Sequence, residues 1–228
     1  FFNDTATTEI YTILFVGRRQ MCIRDSPYIA VIGGAKVSTK LELIKHINSV
    51  ADQIIVGGGI ANTFLKASGL KIGKSLVEDS MLDIAKDLLV QGKIVLPNVI
   101  ITSKTFEGED IRETSVKDVK DEEMILDLHL SDEILTSLNQ AKTILWNGPM
   151  GVFENKLFSK GTKDLSIAIA NSSAFSIAGG GETLSAINKY IKSDDVSYCS
   201  TGGGAFLEFM EGKNLPSIDV LNSKEIGS

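Results

Sequence analysis

The sequence predicts an α/β protein of three layers, αβα, built on a mostly parallel sheet, and two observations carry that prediction. From Pro27 onward, an apolar run of strand length repeatedly gives way to glycine and then to a helical period. The 228 residues also hold 21 glycines against 4 prolines, and thirteen of those glycines fall in five such turns. Glycine without proline marks backbone that approaches something closely rather than disordered linker.

Taken in order, the five units are YIAVI (28–32) into GGAKVSTK, QIIV (53–56) into GGGIAN, TILW (143–146) into NGPMG, AFSIA (174–178) into GGGET, and VSYCS (196–200) into TGGGAF. Near-continuous apolar strands of this kind are buried on both faces, which is the mark of a parallel sheet covered by helices. A helix after the first turn places Leu41, Ile44, Ile47 and Val50 on one face, and Asp79-Ser80 offers a cap before a stripe of Leu82, Ala85 and Leu89. KIVLP (93–97) and NVIIT (98–102) read as further strand, while 106–124 is polar, charged and aperiodic and reads as an exposed excursion.

The first 26 residues do not follow the pattern. Their apolar run, Ile13–Val16, is too short to span a bilayer and has no basic residues before it, so neither a membrane helix nor a signal peptide fits. Read back into codons, residues 3–12 resemble a DNA-sequencing adapter and residues 20–26 a transposon end used in library preparation. Residues 1–26 are therefore expected to be an unstructured artefact, against the alternative of a genuine disordered extension. Setting them aside leaves one cysteine, Cys199, and one arginine, Arg112. With so few cysteines no disulfide framework is expected, and with no credible targeting segment a cytoplasmic location is. Lys and Arg total 23 against 29 Asp and Glu, and the net charge of −6 argues against a sequence-independent nucleic-acid binder.

In an open α/β sheet, ligands bind outside the carboxyl ends of the strands, where this chain is glycine-rich. Backbone N–H groups and helix N-termini there favour an anion, so a phosphate-bearing ligand is expected. Single turns of this type often need one glycine for packing alone; five turns make that reading weaker. Two familiar phosphate motifs fail. Gly69–Ser75 is one residue short of a P-loop and follows a helix where a strand is required. The dinucleotide fingerprint fails because Gly57-x-Gly59, Gly179-x-Gly181 and Gly202-x-Gly204 are followed by Asn62, Leu184 and Leu207 at the last position. Lys36 and Lys40, four apart after the first turn, are expected to project from one helix face near the strand ends, where they could hold phosphate oxygens or simply form a solvated face. Glu182, directly after Gly179–Gly181, is by position equally a surface residue at a helix N-terminus and a ligand for phosphate-bound Mg²⁺. No zinc site is expected, because His46 has no second ligand at a suitable spacing.

Residue by residue, these turns resemble the C-terminal, nucleotide-binding domain of the phosphoglycerate kinase family, bacterial type, with a Rossmann-like sheet. The resemblance covers 27 to about 220 and rests on GGAKVSTK (33–40), VGGGIANTFL (56–65), GKSL (73–76), TILWNGPMGVFE (143–154), KGT (160–162), FSIAGGGET (175–183) and STGGGAFLEFMEGK (200–213). It implies reversible phosphoryl transfer between 1,3-bisphosphoglycerate and ADP, giving 3-phosphoglycerate and MgATP, by a monomer that engages neither nucleic acid nor membrane. It implies that Lys36 neutralises the transferring phosphoryl group, that Lys40 binds nucleotide phosphate, and that Gly203, within Gly202–Gly204, adds a backbone donor near the transferred group. Glu154 matches the carboxylate that accepts from the ribose hydroxyls. Gly57 and Gly58 with Pro149 and Val152 would flank adenine, Gly33 and Ala35 would border the nucleotide, and Gly180, Gly181, Glu182 and Thr183 would meet the phosphates and the metal.

Three departures from the family pattern stand out. Glu182 replaces an aspartate. Leu128-His129 stands where Ile-Gly is usual, with His129 expected to be a local surface change. The domain that holds the sugar acid in this family has no counterpart in 27–228, and one arginine cannot form the bidentate grip that a substrate with both carboxylate and phosphate needs. The chain is therefore expected to bind MgADP or MgATP without turning over alone. Other readings are a stand-alone nucleotide-binding module and a dinucleotide-binding oxidoreductase domain with a variant site.

Overall fold

The computed structural model describes residues 26–200 together with 202, 208 and 210. The adapter-like segment up to 25, Cys22 within it, and the fifth turn beyond Ser200, Gly203 included, lie outside the described residues except for Gly202.

Six strands form one parallel sheet: β1 (Tyr28–Ile32), β2 (Gln53–Val56), β3 (Ile94–Val95), β7 (Thr143–Asn147), β8 (Phe175–Gly179) and β9 (Tyr198–Ser200), in the spatial order β3-β2-β1-β7-β8-β9. β1 is buried along its whole length, so its side chains divide between two cores. Tyr28, Ala30 and Ile32 face a cluster with Leu43 and Ile44 of α1 (Leu41–Val50), Phe64 of α2 (Gly58–Ala67) and Leu88 of α3 (Leu82–Val90). Ile29 and Val31 face Leu138 of α4 (Asp132–Gln140), Leu165 and Ile169 of α5 (Lys160–Asn171) and Ile187 of α6 (Gly181–Tyr190). Helices thus cover both faces, and the three expected layers are present. Each fully buried Ile, Leu or Phe in these clusters contributes roughly 1.5–3 kcal/mol.

Local details differ from the sequence expectation. In α1 the buried side chains are Leu43, Ile44, Ile47 and Asn48, while Leu41 and Val50 pack at the edge of the same cluster. Asp79–Met81 is a short 3-10 turn, and α3 starts without a side-chain cap. The Asp79 carboxylate accepts instead from Lys66 Nζ at 2.6 Å, tying α2 to that turn. β9 begins at Tyr198, not at residue 196, because pairing with β8 starts there. Cys199 and His129 are each partly buried, and His129 Nδ1 is enclosed by protein, so His129 is not a free surface position.

The largest correction concerns the segment expected to be an exposed excursion. It carries β5 (Arg112–Ser115), which pairs antiparallel with β4 (Val99–Ser103), and β4 pairs in turn with β6 (Met124–Leu128). Its charges answer each other: Arg112 donates to Glu123, a carboxylate only 2% exposed that also receives the Lys120 amide and the Thr102 hydroxyl. Val116 and Val119 are buried beneath it. Short antiparallel strands that satisfy their polarity locally carry no long apolar run, which is why hydrophobic periodicity passes over them.

The penultimate residue of β6 is a buried acid. Burial pushes the Asp127 carboxyl up to about 7, against hydrogen bonds from backbone amides such as Gly161 that favour the charged form. The folded protein therefore retains a proton there that the unfolded chain has lost between pH 3.8 and about 7. Stability from this group is complete below that window and declines as pH rises through it. Thermal unfolding at pH 4.5 and pH 8 should show a larger loss in the wild type than in Asp127→Asn, which removes the titration; parallel losses would contradict this assignment.

Candidate functional site

Chain order reverses between β1 and β7: the chain moves outward from β1 to β2 and β3, then returns beside β1 through β7 and moves away through β8 and β9. Turns on either side of such a reversal diverge and leave a crevice at the carboxyl ends of the strands. Over it lies a cavity of about 380 Å³, within the usual range for a small-ligand site. Its lining combines glycine backbone at Gly34, Gly58 and Gly59 and the charged side chains of Lys74, Glu154 and Glu182 with the apolar Leu76, Phe106, Met124 and Val152.

The floor is a close backbone crossing. The Gly33 amide donates to Asn147 O at 3.0 Å, and a Cβ on Gly33 would lie 1.8 Å from Pro149 O, so only glycine lets the two turns meet. Lys40 closes the crossing, with Nζ donating to the carbonyl oxygens of Gly33 at 2.6 Å and Asn147 at 3.0 Å. Burial lowers its pKa to about 8, while the nearby Glu182 carboxylate acts in the opposite direction and holds the charge on. The expected common helix face for Lys36 and Lys40 is not formed. α1 begins at Leu41 after a 3-10 turn over Ser38–Lys40, so Lys36 is an exposed loop residue and Lys40 folds inward.

Of the other residues singled out by sequence, Ala35, Gly58, Pro149, Val152, Glu154 and Glu182 line the cavity together. Gly33, Gly57 and Thr183 do not; they build its support. The Gly57 amide donates to Ile32 O at 3.1 Å, and Thr183 Oγ1 accepts the Gly148 amide at 2.8 Å. Although Gly58 lines the cavity, its amide donates to Met150 O at 2.8 Å. The amides of Gly33, Gly57 and Gly58 thus join backbone to backbone instead of facing an anion. Gly180 is the N-cap of α6 and Gly181 its first residue, with open space around its Cα.

Sequence reasoning missed the opposite wall. Lys74 and Leu76 belong to a strap between α2 and α3, anchored by the Lys74 amide on Glu123 O at 2.8 Å and by Asn62 Nδ2 on Leu76 O at 3.1 Å. Met124, Ile125 and Leu126 come from β6, and Phe106, 54% exposed, projects from the loop after β4. The GKSL motif was the available signal for the strap; none pointed to Phe106. Among the described residues no three His, Cys, Asp or Glu side chains cluster to hold a metal ion unaided. No helix among them is long and apolar enough to cross a membrane.

Residues 17–213 match the model of the phosphoglycerate kinase family. The chain is similar to phosphoglycerate kinase of Haemophilus influenzae, 50% identical over 201 residues that cover 87% of this chain and 52% of that protein. It is similar to the enzyme of that name from Blochmanniella floridana, 54% identical over 198 residues, covering 86% and 50%. Among solved structures it resembles phosphoglycerate kinase from Coxiella burnetii with a TM-score of 0.88 at 42% identity, covering 94% of this chain and 57% of that one. The corresponding crystal structure from Pyrococcus horikoshii OT3 gives 0.77 at 31% identity, covering 93% and 56%. The chain spans about half the length of the curated relatives it matches.

Two outcomes follow from the crossing. Gly33→Ala should cost more than about 3 kcal/mol in urea unfolding, since the methyl group meets backbone that cannot rotate away; a change below about 1 kcal/mol would show that the turns can separate freely. Glu182→Gln should move the Lys40 titration, followed by NMR of labelled lysine, below the wild-type value of about 8, because the carboxylate is what raises it.

Proposed function

The chain belongs to the phosphoglycerate kinase family, and from that premise we propose that it supplies the MgADP/MgATP site for reversible phosphoryl transfer between 1,3-bisphosphoglycerate and ADP, giving 3-phosphoglycerate and ATP. The observation that carries the reading is the cavity at the strand reversal, lined by glycine backbone and charged side chains, Gly34, Gly58, Lys74, Glu154 and Glu182, and by the apolar Leu76, Phe106 and Val152. A nucleotide presents the same two chemistries. Its base would lie between Pro149, Val152 and the β2 turn at Gly57 and Gly58, its ribose hydroxyls would donate to Glu154, and its phosphates would run toward Gly33, Ala35 and the start of α6 at Gly180, Gly181 and Thr183.

In the transfer, the bond from phosphorus to the carboxyl oxygen of the acyl phosphate breaks while a bond to a terminal phosphate oxygen of ADP forms. Charge on the equatorial oxygens must be stabilised through that in-line exchange. Lys40 offers a cation fixed on the floor of the crevice, and Lys36 offers a solvent-facing one that can swing onto the moving group. Gly203 would add a backbone donor. Mg²⁺ normally binds through one or two carboxylates plus phosphate oxygens, so Glu182 could hold it as the single protein ligand, and the ion would supply positive charge to the phosphates. Glu182 is one methylene longer than the family's aspartate and should hold the ion at altered geometry.

The sugar acid needs a separate grip. Arg112, the one arginine outside the N-terminal segment, is taken up by Glu123 on the antiparallel sheet. Binding of 1,3-bisphosphoglycerate or 3-phosphoglycerate thus falls to the family's other domain, and residues 27–228 form the nucleotide domain of a cytoplasmic, monomeric enzyme. Calorimetry with MgADP should give one site per chain, weakened about tenfold or more in Lys40→Ala; absence of heat with MgADP, or tighter binding of NADH, would overturn the nucleotide assignment. In a coupled assay the chain alone should show no turnover, and turnover at the rate of a complete enzyme would refute the division of labour.

A further inference from the structure

Asp127 has no part in the site described so far, yet it is a buried acid directly behind it. It is 2% exposed, the penultimate residue of β6, and follows the cavity-lining Ile125 and Leu126. Its Oδ2 accepts the Gly161 amide at 2.9 Å, in the first turn of the twelve-residue helix α5. A carboxyl there meets an otherwise unsatisfied N–H and the positive end of the helix dipole. The next residue of that turn, Thr162, is fully buried, and its Oγ1 accepts the Met150 amide at 3.0 Å. Met150 O receives the Gly58 amide and Val152 N donates to Leu126 O, both at 2.8 Å, so the loop from Pro149 to Val152 hangs between α5, β6 and the β2 turn.

The other oxygen, Oδ1, is buried without a hydrogen-bond partner and faces the same loop from behind: a Cβ on Gly151 would lie 2.4 Å from it, and one on Gly161 2.6 Å. Gly151 lines the nucleotide cavity. Asn62 Oδ1 is also buried without a partner, and Asn62 and Asp127 are both among the residues around a void of about 10 Å³ shared with Gly58 and Met150.

We propose that Asp127 is a positioning residue for the nucleotide site: clamped on the first turn of α5, it holds Thr162 under the Met150 amide and backs Gly151, and so fixes the loop whose Pro149 and Val152 form the cavity wall. The inference rests on the nucleotide reading for its functional meaning, though not for its geometry. Asn is the conservative variant, since its Oδ1 can accept from Gly161 and it keeps the size of the side chain. Ala removes both.

Ser131→Ala is the control, because Ser131 caps α4 through the Ile134 amide and lines no part of the cavity. Amide hydrogen exchange should accelerate about tenfold at Met150 and Val152 in Asp127→Ala, stay near wild type in Asp127→Asn, and be unaffected there in Ser131→Ala. MgADP affinity should weaken about tenfold in Asp127→Ala and less than about threefold in the other two. Unchanged exchange at Met150 and Val152 in Asp127→Ala overturns the proposal, as does unchanged affinity in a variant whose melting temperature falls like that of Ser131→Ala. Should Asp127→Ala fail to fold, Asp127→Leu takes its place, since it nearly keeps the volume and removes both oxygens: accelerated exchange at Met150 and Val152 then supports the proposal, and exchange plus affinity equal to wild type refutes it. If the wild type itself binds no MgADP, the functional reading fails, while the exchange data still decide whether Asp127 holds the loop.

Discussion

The turn after β1 and the loop after β7 cross with no side chain between them, and most of the site depends on that contact. Gly33 fits beneath Pro149 because it has no Cβ, its amide reaches Asn147, and Lys40 then binds both carbonyl oxygens on the open side. An ammonium among carbonyls is a costly arrangement in a buried place unless its charge is partly answered. The Glu182 carboxylate partly answers it, and the β8 turn joins the same cluster by hydrogen bonds, Asn147 Nδ2 donating to Gly179 O at 2.7 Å and the Gly148 amide to Thr183 Oγ1 at 2.8 Å. Three strand ends are thereby locked at the reversal of strand order, and the cavity inherits its shape from them.

A second set of bonds shapes the far wall. The strap between α2 and α3 is held to the antiparallel sheet through Glu123, whose main-chain oxygen receives Lys74 and whose carboxylate receives Arg112. Ser75 Oγ accepts the Ile125 amide at 2.8 Å, which ties the strap to β6. Two walls from different parts of the chain therefore meet over one floor. Such preorganisation suits phosphoryl transfer, in which positioning and fixed charge do most of the work.

The glycines were legible in the sequence as a pattern and not as individual roles. Four of the five glycine-rich turns lie among the described residues, and they border the cavity at the carboxyl ends of the strands, a placement that needs only the alternation of strand and helix. Their amides were expected to face an anion, and at Gly33, Gly57 and Gly58 they are bonded to Asn147, Ile32 and Met150 instead. The choice between those uses depends on which backbone lies 3 Å away, and local sequence does not carry that information. The same holds for Lys36 and Lys40: spacing of four predicts a shared face only inside a helix, and the helix starts one residue after Lys40.

Sequence alone determined the fold class, the glycine-rich strand ends that border the cavity, the family motifs, and the net negative charge. Those features are local or compositional: runs of apolar residues, turn glycines, short fixed strings. Only the tertiary structure decided that a polar segment forms β5 and joins a second sheet, that Phe106 and Leu76 share a rim, that Lys40 turns inward, and that Asp127 sits behind Gly151 with one oxygen unpartnered. Each of these depends on contacts between residues distant in the chain, where burial and the loss of competing water set the strength of every polar interaction, and no window of the sequence contains both partners.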